Sequence, residues 1–477
     1  MTRRADASPD RPAAGEDTIA AIATPLGEGG IGIVRVSGPE ALTIATRLFR
    51  PSRRGPRQGR LESYRLRHGR VVTVGGETID EALLAVMRRP RSYTREDVVE
   101  FQCHGGPMVV RRVLEEVLAA GAKLAQPGEF TKRAFLNGRL DLAEAEAVMA
   151  VIRARTEASL RAALENLGGR LSARVRALQE RLTRAIAQVE AGVDFPDDEV
   201  DESPFGPLRG ECEAIRGSLA ELIASAHTGK ILRQGLKVVL AGRPNVGKSS
   251  LLNALLREGR AIVTPVPGTT RDAIEETLDL RGVPVRLVDT AGLRATADPV
   301  ESLGVERSRE WLRAADIVLA VVDGSEGLHE EDRQLLRELR DGAIVLANKV
   351  DLLPGGRLPP ELAAELVHHS GGRPLVAVSA ATGEGLGSLE DELLRFVYAG
   401  GAEAPEEALV GSVRAEEALR RALGALDQAF ATLSQGLPDD LAVVDLREAW
   451  GALGEVTGET VTEDILDRLF AEFCVGK

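Results

Sequence analysis

The residues with the clearest chemistry fall in four short segments, in one order along the chain. Gly242 to Ser250 reads GRPNVGKSS, between an apolar run (LKVVLAG) and a helix-like run (LLNALL). Glycines are needed there because the backbone must wrap phosphates with its N–H groups pointing inward. Lys248 is placed to reach the β- and γ-phosphates and Ser249 to ligate Mg2+. Asn245, Val246, Gly247 and Ser250 complete the phosphate-binding set. Alone, this loop also allows a different kind of phosphate site. The second segment, Asp289-Thr290-Ala291-Gly292, closes the next apolar run. Asp289 would hold Mg2+ through water, and the Gly292 N–H would face the γ-phosphate. Thr270, in PGTTRD, is the expected second Mg2+ ligand on a mobile switch loop.

The third segment, Asn348-Lys349-Val350-Asp351, follows the run AIVLA. A carboxylate at Asp351 can accept from the guanine N1–H and 2-amino group. Adenine offers neither and would leave the carboxylate unpaired, which gives strong discrimination. The fourth, Ser379-Ala380-Ala381, supplies backbone to touch the guanine oxygen. Four motifs in this order, each closing a strand-like run, imply a guanine-nucleotide-binding GTP hydrolase, with Lys248, Thr270 and Gly292 at the reacting phosphate. One position departs from Ras-type chemistry. Leu293 stands where Ras-like enzymes carry the glutamine that orients the attacking water, so hydrolysis is poor or another group takes that task. Glu301 is the candidate, reaching the site through a water; from the residues alone it reads first as an exposed glutamate at a helix start.

The elements that must position these residues are legible as periodicities. LKVVLAG, VRLVDTAG, DIVLAVVDG, AIVLANK and LVAVSA are near-continuous apolar runs, as parallel strands buried on both faces require. Helical segments separate most of them, which predicts a doubly wound α/β domain over 236–399. Residues 17–135 read differently: IAAIAT, GIGIVRVSG and DVVEFQCHGG are strand-like, with a hairpin at Gly75-Gly76, predicting an α+β domain. From Asp141 to Asp194 the period changes. Leu160, Leu164, Leu167, Leu171, Val175, Leu178, Leu182, Ile186, Val189 and Val193 predict one apolar stripe on a single helix about 50 Å long at ~1.5 Å per residue. The acidic stretch PDDEVDESP ends it. A second helical region, marked by Leu419, Leu423, Leu426, Ile465, Leu469, Phe470 and Phe473, runs from about Ala415. Each region leaves a stripe uncovered, so the two parts, 136–235 and 400–477, are expected to pack together as a helical bundle domain with the GTPase domain inserted between them.

Composition bounds the rest. A chain of 477 residues is too long for one core. No apolar run approaches the ~18 residues of a membrane span, and residues 1–16 read as a disordered tail. Three widely spaced cysteines, Cys103, Cys212 and Cys474, give no disulfide or zinc pattern. The expectation is a cytoplasmic protein with no membrane association. Its net charge is -13, so a nucleic-acid partner would have to meet a local basic patch. Arg50 to Arg60 is the densest basic stretch, and it reads first as a solvated loop.

From Asp17 to Lys477 the chain resembles the MnmE (TrmE) family of tRNA-modification GTPases. The likeness rests on the flanks: IATPLGEGGIGIVRVSG, EDVVEFQCHGGP, PGEFTKRAFLNGRLDLAEAEAV and the terminal FCVGK. It implies an N-terminal folate-binding and dimerisation domain and a homodimer. It also implies a FAD-binding partner of MnmG type, forming a heterotetramer, and tRNA as substrate. The family adds an aminomethyl-type or carboxymethylaminomethyl group at carbon 5 of the wobble uridine. The one-carbon unit comes from 5,10-methylenetetrahydrofolate, with 5-formyltetrahydrofolate as a ligand of the same site. By position, the resemblance puts K+ at Asn245, Thr264, Val266 and Thr269. There a cation would take the place of an arginine finger. It gives water orientation to Glu301, and folate to Arg35, Glu100, Arg139 and Lys477, where some members carry lysine at the position of Arg139. Cys474 is the cysteine to which the resemblance would give chemistry, with small apolar packing as the alternative. Two other readings remain: a GTPase that only signals its nucleotide state, which needs neither folate residues nor FCVGK, and a scaffold with a degenerate GTPase, which intact Lys248, Ser249, Thr270, Asp289 and Asp351 oppose.

Overall fold

The structure, a computed structural model, describes residues 17–52, 61–194, 205–258, 260–261, 275–289, 311–398, 410–435 and 439–476. Its contacts divide the chain into two compact units. The first comprises Met1–Met149, Ser172–Thr183 and Arg447–Lys477; the second, Ala150–Leu171 and Arg184–Leu446.

In the first unit the strand-like segments become one sheet of β1 (Ile19–Ile22), β2 (Gly29–Ser37), β3 (Phe49–Pro51), β4 (Leu66–Val72), β5 (Thr78–Met87), β6 (Val98–Gly105) and β7 (Lys123–Leu124). The order is β3-β4-β5-β6-β2-β1-β7, and all pairs are antiparallel except β1 with β7. The expected hairpin at Gly75-Gly76 joins β4 to β5, with the Gly76 N–H donating to the Thr73 carbonyl at 2.9 Å. Alternation decides which residues go inward. Val34 and Val36 of β2 and Val99 and Phe101 of β6 are buried under the helices Ala41–Leu48 and Pro107–Ala119, against Ile44, Leu48, Val110, Val113 and Val117. Arg35 and Glu100, one residue out of step, therefore share the other face, and the register sets them directly opposite each other.

The second unit holds a sheet of β8 (Leu236–Ala241), β9 (Arg260–Ala261), β10 (Glu275–Leu280), β11 (Val283–Asp289), β12 (Ile317–Asp323), β13 (Ala343–Asn348) and β14 (Leu375–Ala377), in the order β14-β13-β12-β8-β11-β10-β9. The five strands β14, β13, β12, β8 and β11 are parallel; β10 and β9 continue the sheet antiparallel. The strands β12 and β13 each feed two cores. Leu319, Val321 and Leu346 meet the helices Lys248–Glu258 and Leu386–Val397 on one side. Ala320, Val322, Val345 and Ala347 meet Leu336 and Leu366 of the helices Glu330–Glu338 and Pro360–His369 on the other. This is the doubly wound Ras-like α/β fold expected of buried parallel runs.

The single long helix expected after Asp141 is not what forms. Three helices, Leu142–Arg153, Glu157–Leu167 and Arg170–Asp194, divide it. Thr156 caps the second, accepting from the Ser159 N–H at 3.2 Å. Gly168-Gly169 ends it, and Gly169 takes a φ of 83°, which a helix cannot continue. Leu160 and Leu164, counted in the stripe, are 39% and 49% exposed. The stripe proper starts at Leu171 and buries Val175, Leu178, Leu182 and Val189. The helix Glu157–Leu167 instead serves the nucleotide-binding sheet: Ala158 and Ala162 lie against its core, and Arg155 donates to the Thr277 hydroxyl at 2.7 Å.

The expected pairing of early and late helical regions is present within each unit. In the second, the helix Phe205–Gln234 packs against Val413–Ser434, whose buried stripe is mostly alanine: Ala415, Ala418, Leu419, Ala422, Ala425, Leu426 and Ala429. Small side chains let the two axes approach closely. In the first, Leu466, Phe470 and Phe473 from the C-terminal part pack on Phe135, Leu142, Ala145 and Met149. Phe470 and Phe473 of the late stripe are buried as expected, but its first buried position is Leu466, whereas Ile465 is 38% exposed.

Candidate functional site

Three of the four motifs meet at the C-terminal ends of parallel strands. The loop after β8 carries Asn245, Val246 and Gly247 into the helix that begins at Lys248, which also holds Ser249 and Ser250. Asn348 ends β13, Lys349 and Asp351 follow it, and Ser379, Ala380 and Ala381 follow β14. Asp289 ends β11 in register with Leu240 of β8. Thr264, Val266, Thr269, Thr270, Thr290, Ala291, Gly292 and Glu301 lie outside the described residues, as does Leu293.

Asn348 joins the phosphate loop to the base loop. It is 1% exposed, donates from Nδ2 to the Val246 carbonyl at 2.8 Å, and accepts at Oδ1 from the Ala380 N–H at 3.0 Å. A β-carbon on Gly247, which has a φ of 98°, would stand 2.2 Å from Asn348 Nδ2. Glycine is thus fixed at that position by a neighbour as well as by backbone conformation. Lys248 is buried, and its Nζ donates to the carbonyls of Gly242 at 2.9 Å and Arg243 at 2.7 Å. The Asp351 carboxylate accepts from Ser379 Oγ at 2.6 Å, and Ser379 Oγ accepts from the Thr382 N–H at 3.1 Å. That chain of bonds fixes the carboxylate before any base arrives, and pre-ordered acceptors are what selective hydrogen bonding needs.

Two carboxylates in this site, Asp323 and Asp332, had no signal in the motif reading. Lys349 sits at a left-handed φ of 66°, and its Nζ lies 2.6 Å from Oδ2 of Asp323, the last residue of β12. Burial opposes ionisation of Asp323, yet the hydrogen bond from Lys349 and two from Ser325 outweigh it and hold the carboxyl below its usual range. Arg243 donates from Nε to both carboxylate oxygens of Asp332 at 2.9 Å. Both acids stand in DGSEGLHEED, which reads in sequence as an ordinary acidic turn and helix start.

The first unit gathers three of the four positions that the resemblance gave to folate. Arg35 Nε donates to Glu100 Oε1 at 2.9 Å, and Arg35 Nη1 donates to the Gly476 carbonyl at 3.1 Å. Arg139 donates to the Tyr93 carbonyl at 2.9 Å, and its guanidinium lies 4.7 Å from the Tyr93 ring centre. Arg35 lies 5.9 Å from the same ring and 5.7 Å from that of Phe130. Tyr93, which the motif reading passed over, therefore stands between two guanidiniums, a favourable cation–π arrangement. Burial pushes its phenol above the usual range, against the opposing pull of the Thr131 hydrogen bond and the two arginines. Lys477 lies outside the described residues, but its neighbour Gly476 is at this site. Cys474 is exposed, which opposes a packing role, while Cys103 and Cys212 are buried and burial raises both thiols to about 11.

Fold and site together define a Ras-like GTPase unit in a chain that also carries an α+β N-terminal part and a helical part. The chain matches the MnmE helical domain over residues 142–474 and the GTP-binding protein TrmE N-terminus over 18–139. The tRNA modification GTPase MnmE of Symbiobacterium thermophilum is 55% identical over 97% of this chain and 100% of its own length. That of Moorella thermoacetica is 50% identical over 97% and 100%. The G domain of the T. maritima FeoB iron transporter is a similar solved structure, with 30% identity, 34% of this chain and 98% of that chain covered, and a TM-score of 0.25. The chain belongs to the MnmE family, and it is a GTP-binding GTPase acting in tRNA modification. Among the described residues no helix is long and apolar enough to cross a membrane.

Proposed function

We propose that this chain hydrolyses GTP with Mg2+ and K+ in the cytoplasm. As a homodimer joined to a FAD-binding MnmG-type protein in a heterotetramer, it installs the aminomethyl-type group at carbon 5 of the tRNA wobble uridine. The one-carbon unit comes from 5,10-methylenetetrahydrofolate. The GTP site uses Asn245 to Ser250 for the phosphates and Asn348, Lys349, Asp351 and Ser379 to Ala381 for the base. Ser249 is a hard oxygen donor of the kind that Mg2+ takes, with Thr270 as the further ligand and Asp289 holding the ion through water. Asn245, exposed and at a φ of 65°, belongs with Thr264, Val266 and Thr269 as the K+ set. Bound there, the two cations would neutralise charge gathering on the β- and γ-phosphates. Glu301 orients the attacking water in place of the missing glutamine.

The observation that carries the modification reading is the cluster of Arg35, Glu100, Arg139 and the chain's own tail. A reduced folate has a carboxylate-bearing glutamate, an extended aromatic body and a donor-rich pterin. Two arginines and the lysine next to Gly476 suit the first, the Tyr93 ring the second, and Glu100 the third. A nucleotide switch alone would have no use for such a set. Calorimetric titration of 5-formyltetrahydrofolate into the purified chain tests it, with a variant lacking Lys477 as control. Binding that weakens in the variant is expected; no binding by the folded protein would reduce the function to GTP hydrolysis in tRNA modification by other means.

A further inference from the structure

Two cations within the GTP-site motifs, Lys349 and Arg243, are each held by a carboxylate from one ten-residue segment. Asp323, at the end of β12, is 2% exposed and lies 2.6 Å from Lys349 Nζ. Asp332, in the first turn of the helix Glu330–Glu338, is fully buried and takes Arg243 Nε on both oxygens. Each acid is itself fixed from its own segment. Ser325 donates to Asp323 Oδ1 from its N–H at 3.0 Å and its hydroxyl at 2.6 Å, and the His329 N–H donates to Asp332 Oδ2 at 3.0 Å. Glu326 adds a longer ion pair to Arg243 Nη2 at 3.7 Å.

Each restrained cation sits on a strained or strategic piece of backbone. Lys349 is in the left-handed region, a conformation a lysine holds only when its surroundings over-determine it. The Arg243 carbonyl is one of the two that receive Lys248 Nζ. Nothing in the motif chemistry requires these two sites to share a support. The same segment nevertheless ends in β12 on one side and a helix on the other, so the two acids cannot move far relative to each other. Gly324, between them, also donates its N–H to the Asn348 carbonyl at 2.8 Å.

We propose that Asp323–Asp332 is a brace that sets the guanine half of the site through Lys349 and the phosphate half through Arg243, making Asp323 and Asp332 positioning residues for nucleotide binding. The inference rests on the GTP site as assigned above. Because Lys349 belongs to the base half and not to the reacting γ-phosphate, loss of Asp323 weakens GDP and GTP alike and raises KM while kcat holds.

The test uses the full chain and fluorescent GDP and GTP analogues. Asp323→Asn keeps shape and removes the charge holding Lys349. It is expected to weaken both nucleotides about tenfold, the scale of one lost hydrogen bond to a charged group. The decisive readout is coupling: Lys349→Met with Asp323→Asn should be no weaker than Lys349→Met alone, since Asp323 acts through that lysine. Asp332→Asn with Arg243→Gln should behave in the same way. Ser325→Ala, at an exposed position, removes one hydrogen bond to Asp323 and should give a smaller loss in the same direction, which guards against a buried variant that fails to fold. Losses that multiply in the double variants, a fall in kcat at unchanged KM, or unaltered affinity in Asp323→Asn would each overturn the brace. Should Lys349→Met itself leave affinity unchanged, the assignment of the base site would fall instead.

Discussion

At the scale of single residues, Asn348 ties the base loop to the phosphate loop, and Ser379 holds the Asp351 carboxylate at 2.6 Å. The pattern Asn-Lys-x-Asp is visible as letters; that Asn348 bonds Val246 and Ala380 at once is a fact of three strand ends meeting. Asp351→Asn keeps the bond from Ser379 within reach but replaces a charged double acceptor by an amide. It should weaken GTP binding roughly tenfold to a hundredfold and relax rejection of other purine nucleotides. Competition of GTP, ITP and XTP for one fluorescent nucleotide measures this, and unchanged selectivity would move the base site elsewhere. A second residue the motif reading passed over is Arg133, 3% exposed, which donates to Asp17 Oδ1 at 2.7 Å, Glu129 Oε1 at 2.8 Å and Glu96 Oε1 at 3.3 Å. Arg133→Met leaves three carboxylates facing one another and should cost about 2–4 kcal/mol in chemical denaturation, below the full cost of breaking a buried pair because the acids keep some water. Asp17 also feels this cation: the hydrogen bonds from Lys123 and Arg133 hold its carboxyl below the usual range. Its folded pKa is depressed, so its contribution is present above the unfolded value of 3.8 and is lost as pH falls through the folded value. Urea midpoints of the wild type and Arg133→Met, measured at successive pH values, should therefore converge as pH falls.

At the scale of elements, strand-like runs were legible because a buried parallel strand writes its burial into every residue, and an open-faced one into every second residue. Pairing was not. β2 and β6 are 65 residues apart at the Arg35–Glu100 contact, and no local pattern joins them. The helix after Asp141 failed for a different reason: leucines at three- and four-residue steps continue across Gly168-Gly169, although the stripe changes partner there. Periodicity reports that a face is apolar, not which core receives it. The break predicts opposite outcomes for leucines that look equivalent in sequence. Leu164→Glu, at an exposed position, should alter stability by less than about 0.5 kcal/mol, whereas Leu182→Ala, fully buried, should cost about 2–5 kcal/mol. Equal losses in urea unfolding would restore the continuous helix.

At the scale of the whole molecule, the GTP site and the Arg35–Glu100–Arg139 cluster lie in different units, and the first unit is assembled from distant parts of the chain. Every described residue of the GTP site lies between Gly242 and Ala381, inside the second unit. Residues 447–477 belong with 1–149. In that unit Phe470 and Phe473 fill a core with Phe135 and Leu142, the Cys474 carbonyl receives the Gly128 N–H at 3.3 Å, and the Gly476 carbonyl receives Arg35. Graded truncation separates these roles. Removing Cys474–Lys477 deletes two hydrogen bonds and the terminal lysine but no buried ring. It should cost about 1–3 kcal/mol and abolish measurable folate binding. KM and kcat for GTP should stay within about twofold, since no GTP-site residue is touched. Removing Phe470–Lys477 also takes two buried aromatics, at about 3–5 kcal/mol each, enough to unfold a unit of ordinary stability. The first truncation decides the question: folate binding lost with GTP turnover intact places the two ligands in separate units, whereas a parallel fall in GTP turnover would mean that the tail governs nucleotide chemistry as well.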